Sequence, residues 1–426
     1  MCGIAGLIDL AGRREPDRLM VRRMAAALEH RGPDDFGFLF APGVGLAHRR
    51  LSIVGVEDGR QPIFNEDRTI AVICNGEFFD FPERRAELEA RGHVFRTQSD
   101  SELIVHLYEE HGEELFPHLK GQFAFVLIDF ARNAAILARD RVGICPLFWS
   151  RQGDVIYFGS EIKALIASGA VRPVADRHGL DHLFTFFALG GRRTAFEGVQ
   201  AVAPGHYVKL ALPSRGKPTA PVERKYWDLD FPDWGDEVDS ADGVRLADAF
   251  EAAFARAVEI RLRADVPVAG YLSGGVDSAY VLAMAKRVAG RPLPSFTLRI
   301  PGRDLDEVDS ALESARAIGA RRPTVVEVGP DRIMNSYAAL TEAAESPVLD
   351  TSCAALLALS GAVRSEGYKV VLTGEGADEA FAGYVWFKIR ELARVFDVGD
   401  AFRPSTLMSR LARKWAAPNR GFDEIA

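Results

Sequence analysis

VPVAGYLSGGVDS, running from Val266 to Ser278, reads as a buried strand, a glycine turn and the start of a helix. Val266, Val268, Ala269, Tyr271 and Leu272 form the near-continuous apolar run that a strand covered on both faces requires. Gly274 and Gly275 let the backbone turn sharply and approach a ligand with no Cβ in the way. Asp277 or Ser278 is expected to cap the helix that follows. Successive N–H groups at such a turn, beside a helix N-terminus, suit a phosphate. No Gly-Lys-Ser/Thr closes the loop, so it is not a Walker A loop. A carboxylate, Asp277, stands where that loop would carry a cation, which points to Mg²⁺ bridging it to the phosphates.

Downstream of this stretch, strands and helices alternate. Strands are expected at 266–272, 295–300, 324–328 and 369–373, and helices at 246–263, 279–289, 307–318, 331–344 and 353–365. Asp331, directly after Pro330, is expected to cap its helix. Such alternation implies a doubly wound parallel sheet, with ligands beyond the carboxyl ends of the strands. The loop Thr373-Gly374-Glu375-Gly376-Ala377-Asp378-Glu379 also follows a strand, so the two loops should converge on one ligand.

The first half reads differently. Strands at 4–10, 44–47, 69–74, 123–129 and 135–139 mix with helices at 17–28, 81–91 and 101–111, and 206–210 reads as one more strand. Cys2 follows the initiator Met1. Removing Met1 would leave a cysteine with a free α-amine of pKa about 7.7–8.0, able to take the thiol proton without a histidine.

Composition narrows the classes. The 426 residues carry a net charge of −8, which argues against nucleic acid, and no apolar stretch is long enough to cross a bilayer. No basic region precedes the short apolar run at the N-terminus, so no signal peptide is read. Cys2, Cys74, Cys145 and Cys353 lack metal spacing and disulfide density, and the cytoplasm is the expected compartment.

The opening CGIAG resembles the class II glutamine amidotransferases, whose motifs follow in order. These are His30-Arg31-Gly32-Pro33-Asp34, Arg50-Leu51-Ser52-Ile53-Val54, Asn75-Gly76-Glu77 and Ser99-Asp100. The resemblance implies an N-terminal-nucleophile αββα sandwich, with Cys2 as nucleophile and Asn75 and Gly76 as the oxyanion hole. It implies glutamine contacts from Arg50, Leu51, Ser52, Ile53, Val54, Asn75, Gly76, Glu77 and Asp100. Arg50 would fork onto the α-carboxylate and Asp100 would pair with the α-ammonium. Two positions depart from the pattern: Asp80 replaces an amide, and Cys145 replaces a lysine. Cys145 reads as a packed thiol.

SGGVDS resembles the pyrophosphate loop of ATP pyrophosphatases, and GEGADE resembles a motif of asparagine synthetases. That resemblance places Leu272, Ser273, Gly274, Gly275, Asp277, Ser278, Leu298, Thr373 and Gly374 on ATP. It places Asp277 and Asp378 on Mg²⁺, and Glu375 in the adenylation and amide-forming steps. Asp350, in ESPVLDTS, would contact nucleotide or acceptor. Together the halves resemble glutamine-hydrolysing asparagine synthetase. The expected partners are glutamine, ATP and a carboxylate acceptor, aspartate foremost, and the expected assembly is a homodimer. Other acceptors, or a remnant keeping only glutaminase or binding function, are the alternatives.

The expected domains are 1–210, a linker at 211–245, and a synthetase-like domain at 246–426. A basic helical stretch is expected at 407–415. The family's later lysine has no counterpart here, so the chain is expected to be a fragment or to have lost part of the synthetase function.

Overall fold

The computed structural model describes residues 1–12, 15–212, 219–231, 243–302 and 306–394. The helix expected at 407–415 lies outside them.

In the first half two six-stranded sheets stack face to face. Gly3–Asp9 sits inside the first, between Val44–Arg50 and Val155–Gly159, and Ile70–Phe78 sits inside the second, beside Gly121–Asp129. Among the described residues the strands of these two sheets all pair antiparallel. Side chains alternate as the pleat demands. Ile4 and Ile8 point between the sheets against Ile73, Val126 and Leu137. Ala5 and Leu7 point outward against Val21 and Met24 of the helix Arg18–Ala26. Cys74 and Phe125 point outward from the second sheet against Leu103 and Leu107 of the helix Leu103–His111. The result is the expected αββα sandwich. Because both faces of each central strand are covered, these strands are apolar throughout rather than alternating.

The second half holds a four-stranded parallel sheet in the order Thr324–Glu327, Ser295–Arg299, Val268–Tyr271, Val370–Leu372. The helices Val276–Ala289 and Val308–Ile318 cover one face through Leu282, Ala285, Ala311 and Ala315. Pro330–Ala344 and Ser352–Ser365 cover the other through Ile333, Ala355 and Leu359. This is the expected doubly wound arrangement.

Several local expectations are corrected. Gly275, not Asp277 or Ser278, occupies the N-cap, and the helix begins at Val276. Gly329 rather than Asp331 caps the helix Pro330–Ala344, since Pro330 takes the first helical position and moves Asp331 into the first turn. Within the expected linker, Val222–Lys225 pairs with His206–Ala211 and becomes an edge strand of the first half. Its short, charged sequence, Val-Glu-Arg-Lys, hid it.

The halves are stitched together. Asp265 accepts the Gly55 N–H at 2.8 Å, and its own N–H reaches Ile53 O at 3.0 Å. Lys369 Nζ meets Asp34 at 2.5 Å. Glu345 accepts the N–H groups of Ile162 and Lys163.

Candidate active sites

Two sites follow from this architecture. The first is a small cleft of about 50 Å³ at the end of the strand Gly3–Asp9. Cys2, Arg50, Leu51, Ile53, Val54, Asn75, Gly76, Glu77 and Asp100 all border it. Ser52 does not: its N–H bonds Asp34 and its carbonyl faces Lys369 of the second half.

Cys2 Sγ lies against the backbone of Leu51, 3.4 Å from its N and 3.6 Å from its O. Arg31 donates to the Cys2 carbonyl at 2.9 Å and is itself held by Glu161 at 2.8 Å. With Met1 attached, burial pushes the Cys2 thiol pKa up. Met1 is about half exposed, yet burial of its terminal amine draws that pKa below the ordinary value. A thiol so placed lacks a base. Removal of Met1 would supply one on the same residue.

Asn75 is fully buried, and both polar atoms of its side chain lack any hydrogen-bond partner. Leaving such a group unpaired costs about 1–3 kcal/mol, a cost that a transient oxyanion would offset. Gly76 follows in a strand so close to its neighbour that a Cβ would stand 2.6 Å from Gln122 O and 2.7 Å from Phe123 Cβ. Only glycine fits there.

Two carboxylates border the same cleft. Burial pushes Asp100 up to about 6, although its Oδ2 accepts the Phe78 N–H at 2.7 Å. Burial, and then the charge of Asp100, push Glu77 up to about 7. Such a pair calls for a cation, and an α-ammonium group would serve. Arg50 turns three N–H contacts onto the carbonyls of Val54, Gly55 and Val56, so much of its fork shapes the cleft wall. The sequence reading missed Gln122, which stands directly across from Glu77 in strand register and also borders the cleft. Cys145 borders it too, and is otherwise a buried thiol.

The second site is a cavity of about 440 Å³ at the carboxyl edge of the parallel sheet. Val268–Tyr271 and Val370–Leu372 are adjacent parallel strands, so both glycine loops emerge at that edge. They touch: a Cβ on Gly374 would lie 2.9 Å from Ser278 N and 3.2 Å from Asp277 Cβ. Leu272, Ser273, Gly275, Asp277, Ser278, Leu298, Thr373 and Gly374 border the cavity, with Glu375 and Asp378. Gly274 N–H instead donates to Glu307 Oε2 at 3.0 Å. Glu307, which the sequence reading did not single out, thus holds one of the amides expected to meet phosphate. Asp350 is exposed and caps its own turn by accepting the Ser352 N–H.

Asp277, Glu307, Glu375, Asp378 and Glu379 border this cavity, and among its described residues there is no Lys or Arg. Among the described residues a polyphosphate there would meet carboxylates rather than side-chain cations. Hard oxygen donors of this kind fit Mg²⁺, which binds through one or two carboxylates plus substrate phosphates.

Residues 1–227 match the family described as glutamine amidotransferase domain, and residues 249–424 match the one described as asparagine synthase. An asparagine synthetase [glutamine-hydrolyzing] of Sandersonia aurantiaca is 33% identical, covering 91% of this chain and 68% of that protein. The chain belongs to the glutamine-hydrolysing asparagine synthetase family. Asparagine synthetase [glutamine-hydrolyzing] 1 of Bacillus subtilis (strain 168) is 32% identical over 90% of this chain and 59% of its own length. A protein named Amidase chry2, from Gibberella zeae, is 35% identical over 92% of this chain and 61% of its own. This family member therefore spans about 60% of the length of those two relatives. No helix among its described residues is long and apolar enough to cross a membrane.

Proposed function

We propose that this protein uses glutamine nitrogen and ATP to convert a carboxylate, aspartate foremost, into an amide. The observation that carries the reading is the unpaired, fully buried Asn75 amide bordering one cleft with Cys2, Glu77 and Asp100.

Cys2, freed of Met1, gives its thiol proton to its own amine. The thiolate attacks the glutamine side-chain carbonyl carbon. Asn75 Nδ2 and the Gly76 N–H receive the negative oxygen, an interaction worth roughly 2.7–4 kcal/mol per donor in such sites. The C–N bond breaks, ammonia leaves with a proton from the amine, and water hydrolyses the thioester to glutamate. Glu77 and Asp100 hold the substrate ammonium.

At the second site an oxygen of the acceptor carboxylate attacks the α-phosphorus of ATP, and pyrophosphate departs. Asp277 and Asp378 would hold Mg²⁺, which offsets the polyphosphate charge when bound. Ammonia then displaces AMP from the acyl carbon, with Glu375 placed to move a proton. Ammonia in open water becomes ammonium and loses its nucleophilicity. A groove of about 570 Å³ supports a sheltered route between the sites. Phe250, Phe254, Tyr280 and Leu372 line it, with Arg261 at its wall and Gly374 and Glu375 beside the ATP loops. Arg261 also stacks over Phe79, 4.4 Å from the ring centroid, and its charge acts on Glu77.

The fungal relative named as an amidase favours a second reading, in which the acceptor is another carboxylate. Pyrophosphate and glutamate formation, assayed with aspartate and a panel of carboxylates, decides between them. Intact mass checks the loss of Met1. No pyrophosphate release with any acceptor would overturn the ligase reading.

A further inference from the structure

The outer side of the first half gathers a set of donors that the proposed reactions do not use. Glu66 follows the short strand Ile63–Phe64, His93 follows the helix Phe81–Ala90, and His106 and Glu109 share one face of Leu103–His111. One ligand atom from each lies within 4.8 Å of the others. We propose that these four side chains form a structural site for a divalent transition metal, zinc foremost.

The imidazole–carboxylate distances, with Glu66 offering a different oxygen to each ring, are those of one compact donor set. His106 Nδ1 stands 3.5 Å from Glu66 Oε2 and 3.3 Å from Glu109 Oε2. His93 Nδ1 stands 3.7 Å from Glu66 Oε1 and 3.5 Å from Glu109 Oε2. Zinc bonds of about 2.0–2.2 Å to nitrogen and oxygen give a tetrahedral edge of about 3.3–3.6 Å. The shortest of these, His106 Nδ1 to Glu109 Oε2, is also within reach of a direct hydrogen bond.

The surroundings orient three of the four ligands. The second nitrogen of His93 faces Glu110 at 3.1 Å, and that of His106 faces Glu102 at 3.6 Å. A ring that gives its Nε2 proton outward presents the Nδ1 lone pair inward. Glu109 Oε1 accepts from Asn65 at 2.8 Å, and Glu66 Oε1 accepts the Val94 N–H at 2.9 Å. Glu66 Oε2 is buried with no hydrogen-bond partner, and His106 is wholly buried with its Nε2 similarly unsatisfied. Among the described residues no Lys or Arg pairs with Glu66 or Glu109. Two inward carboxylates match the charge of one divalent ion.

Such an ion would tie together three segments that no strand pairing joins. It would also brace the turn before Asp100, because Glu102 accepts the Arg96 and Thr97 N–H groups.

The test uses the full chain, purified without a histidine tag or chelator. Its metal content is measured by mass spectrometry, and its melting temperature is followed on adding zinc sulfate. We expect about one zinc per chain and a rise of several degrees with zinc. Both should be lost in Glu66→Gln and His93→Asn, whose sites are partly exposed and should tolerate the change better than the buried His106. Neither readout depends on activity. Zinc below about a tenth per chain with no thermal response, or zinc retained by both variants, would overturn the proposal.

Discussion

The cleft around Cys2 encloses about 50 Å³, and on its wall Asn75 is fully buried and Asp100 is 5% exposed. The cavity around Asp277 is about 440 Å³, and Ser273, Gly275, Thr373 and Glu375 on its wall are exposed. On the proposed reading, the first holds the nucleophile, the oxyanion donor and the counter-charges within one sandwich. In the second, the described residues offer glycine backbone and carboxylates, and on the proposed reading a cation comes with the substrate. Preorganisation by burial suits a small amide that must be held without water. An open, acidic edge suits a large anion that carries its own metal.

The largest expected effects separate the two regions outright. Cys2→Ala should reduce glutamine-dependent synthesis on the order of 10³-fold or more while sparing synthesis from free ammonia. Asp277→Asn should do the reverse, suppressing acceptor-dependent pyrophosphate release while leaving glutamate formation intact. Equal loss of both activities in either variant would mean the two sites are not separable.

Asn75→Ala comes next. It should lower glutaminase kcat about 10²–10³-fold with little change in KM, because the amide serves only the transition state. A change in KM alone would recast Asn75 as a ground-state contact. It should not destabilise the fold in proportion to its burial, since its polar atoms have no partner to lose.

Glu77 and Asp100 make the same cleft sensitive to acid. Their folded pKa values, about 7 and about 6, lie above the ordinary carboxylate range. Only the ionised forms attract an α-ammonium. The glutamine KM should therefore climb as pH falls through 7 and 6, by up to about tenfold per unit for each group. Glu77→Gln should remove the upper limb of that profile. Stability runs the other way. The folded state holds protons that the unfolded chain releases between its ordinary carboxylate pKa and 7. The glutamine-free protein should thus be more stable near pH 5 than near pH 8 by this contribution. Thermal melts across that range check the sign.

How far these regions can be read from sequence follows from how each is built. SGGVDS and GEGADE lie on strands that are parallel neighbours, so strand polarity alone brings the loops to one edge. Cys2 and Asn75 stand in local motifs. Gln122 has no local signal, because its place opposite Glu77 is set by pairing across 45 positions of chain. The strands Asp35–Ala41, Phe148–Gln152 and Val155–Gly159 also escaped; only Phe148–Gln152 is mixed in polarity, and the other two are short apolar runs placed by the strands beside them. Glu307 reaches the glycine loop from the start of a different helix. His106 and Glu109, three apart on a helix, did offer a periodic signal, but their partners come from two distant loops.

The finest test concerns the seam between the regions. Asp265 grips the backbone of Ile53 and Gly55 just before the strand that feeds the loop Ser273-Gly274-Gly275. The same short loop holds the Arg50 guanidinium through Val54, Gly55 and Val56, and begins at Leu51, which touches Cys2. Asp265→Ala removes one carboxylate-to-backbone bond, worth about 1–3 kcal/mol if the Gly55 N–H is left unpaired. Because that bond shapes the cleft wall and touches no reacting atom, the glutamine KM should rise several-fold while glutaminase kcat holds. The ATP cavity keeps both of its glycine loops, so the KM for ATP should move less than the KM for glutamine. The opposite ranking would show that the seam belongs to the open site, and that the cleft is held by its own sandwich alone.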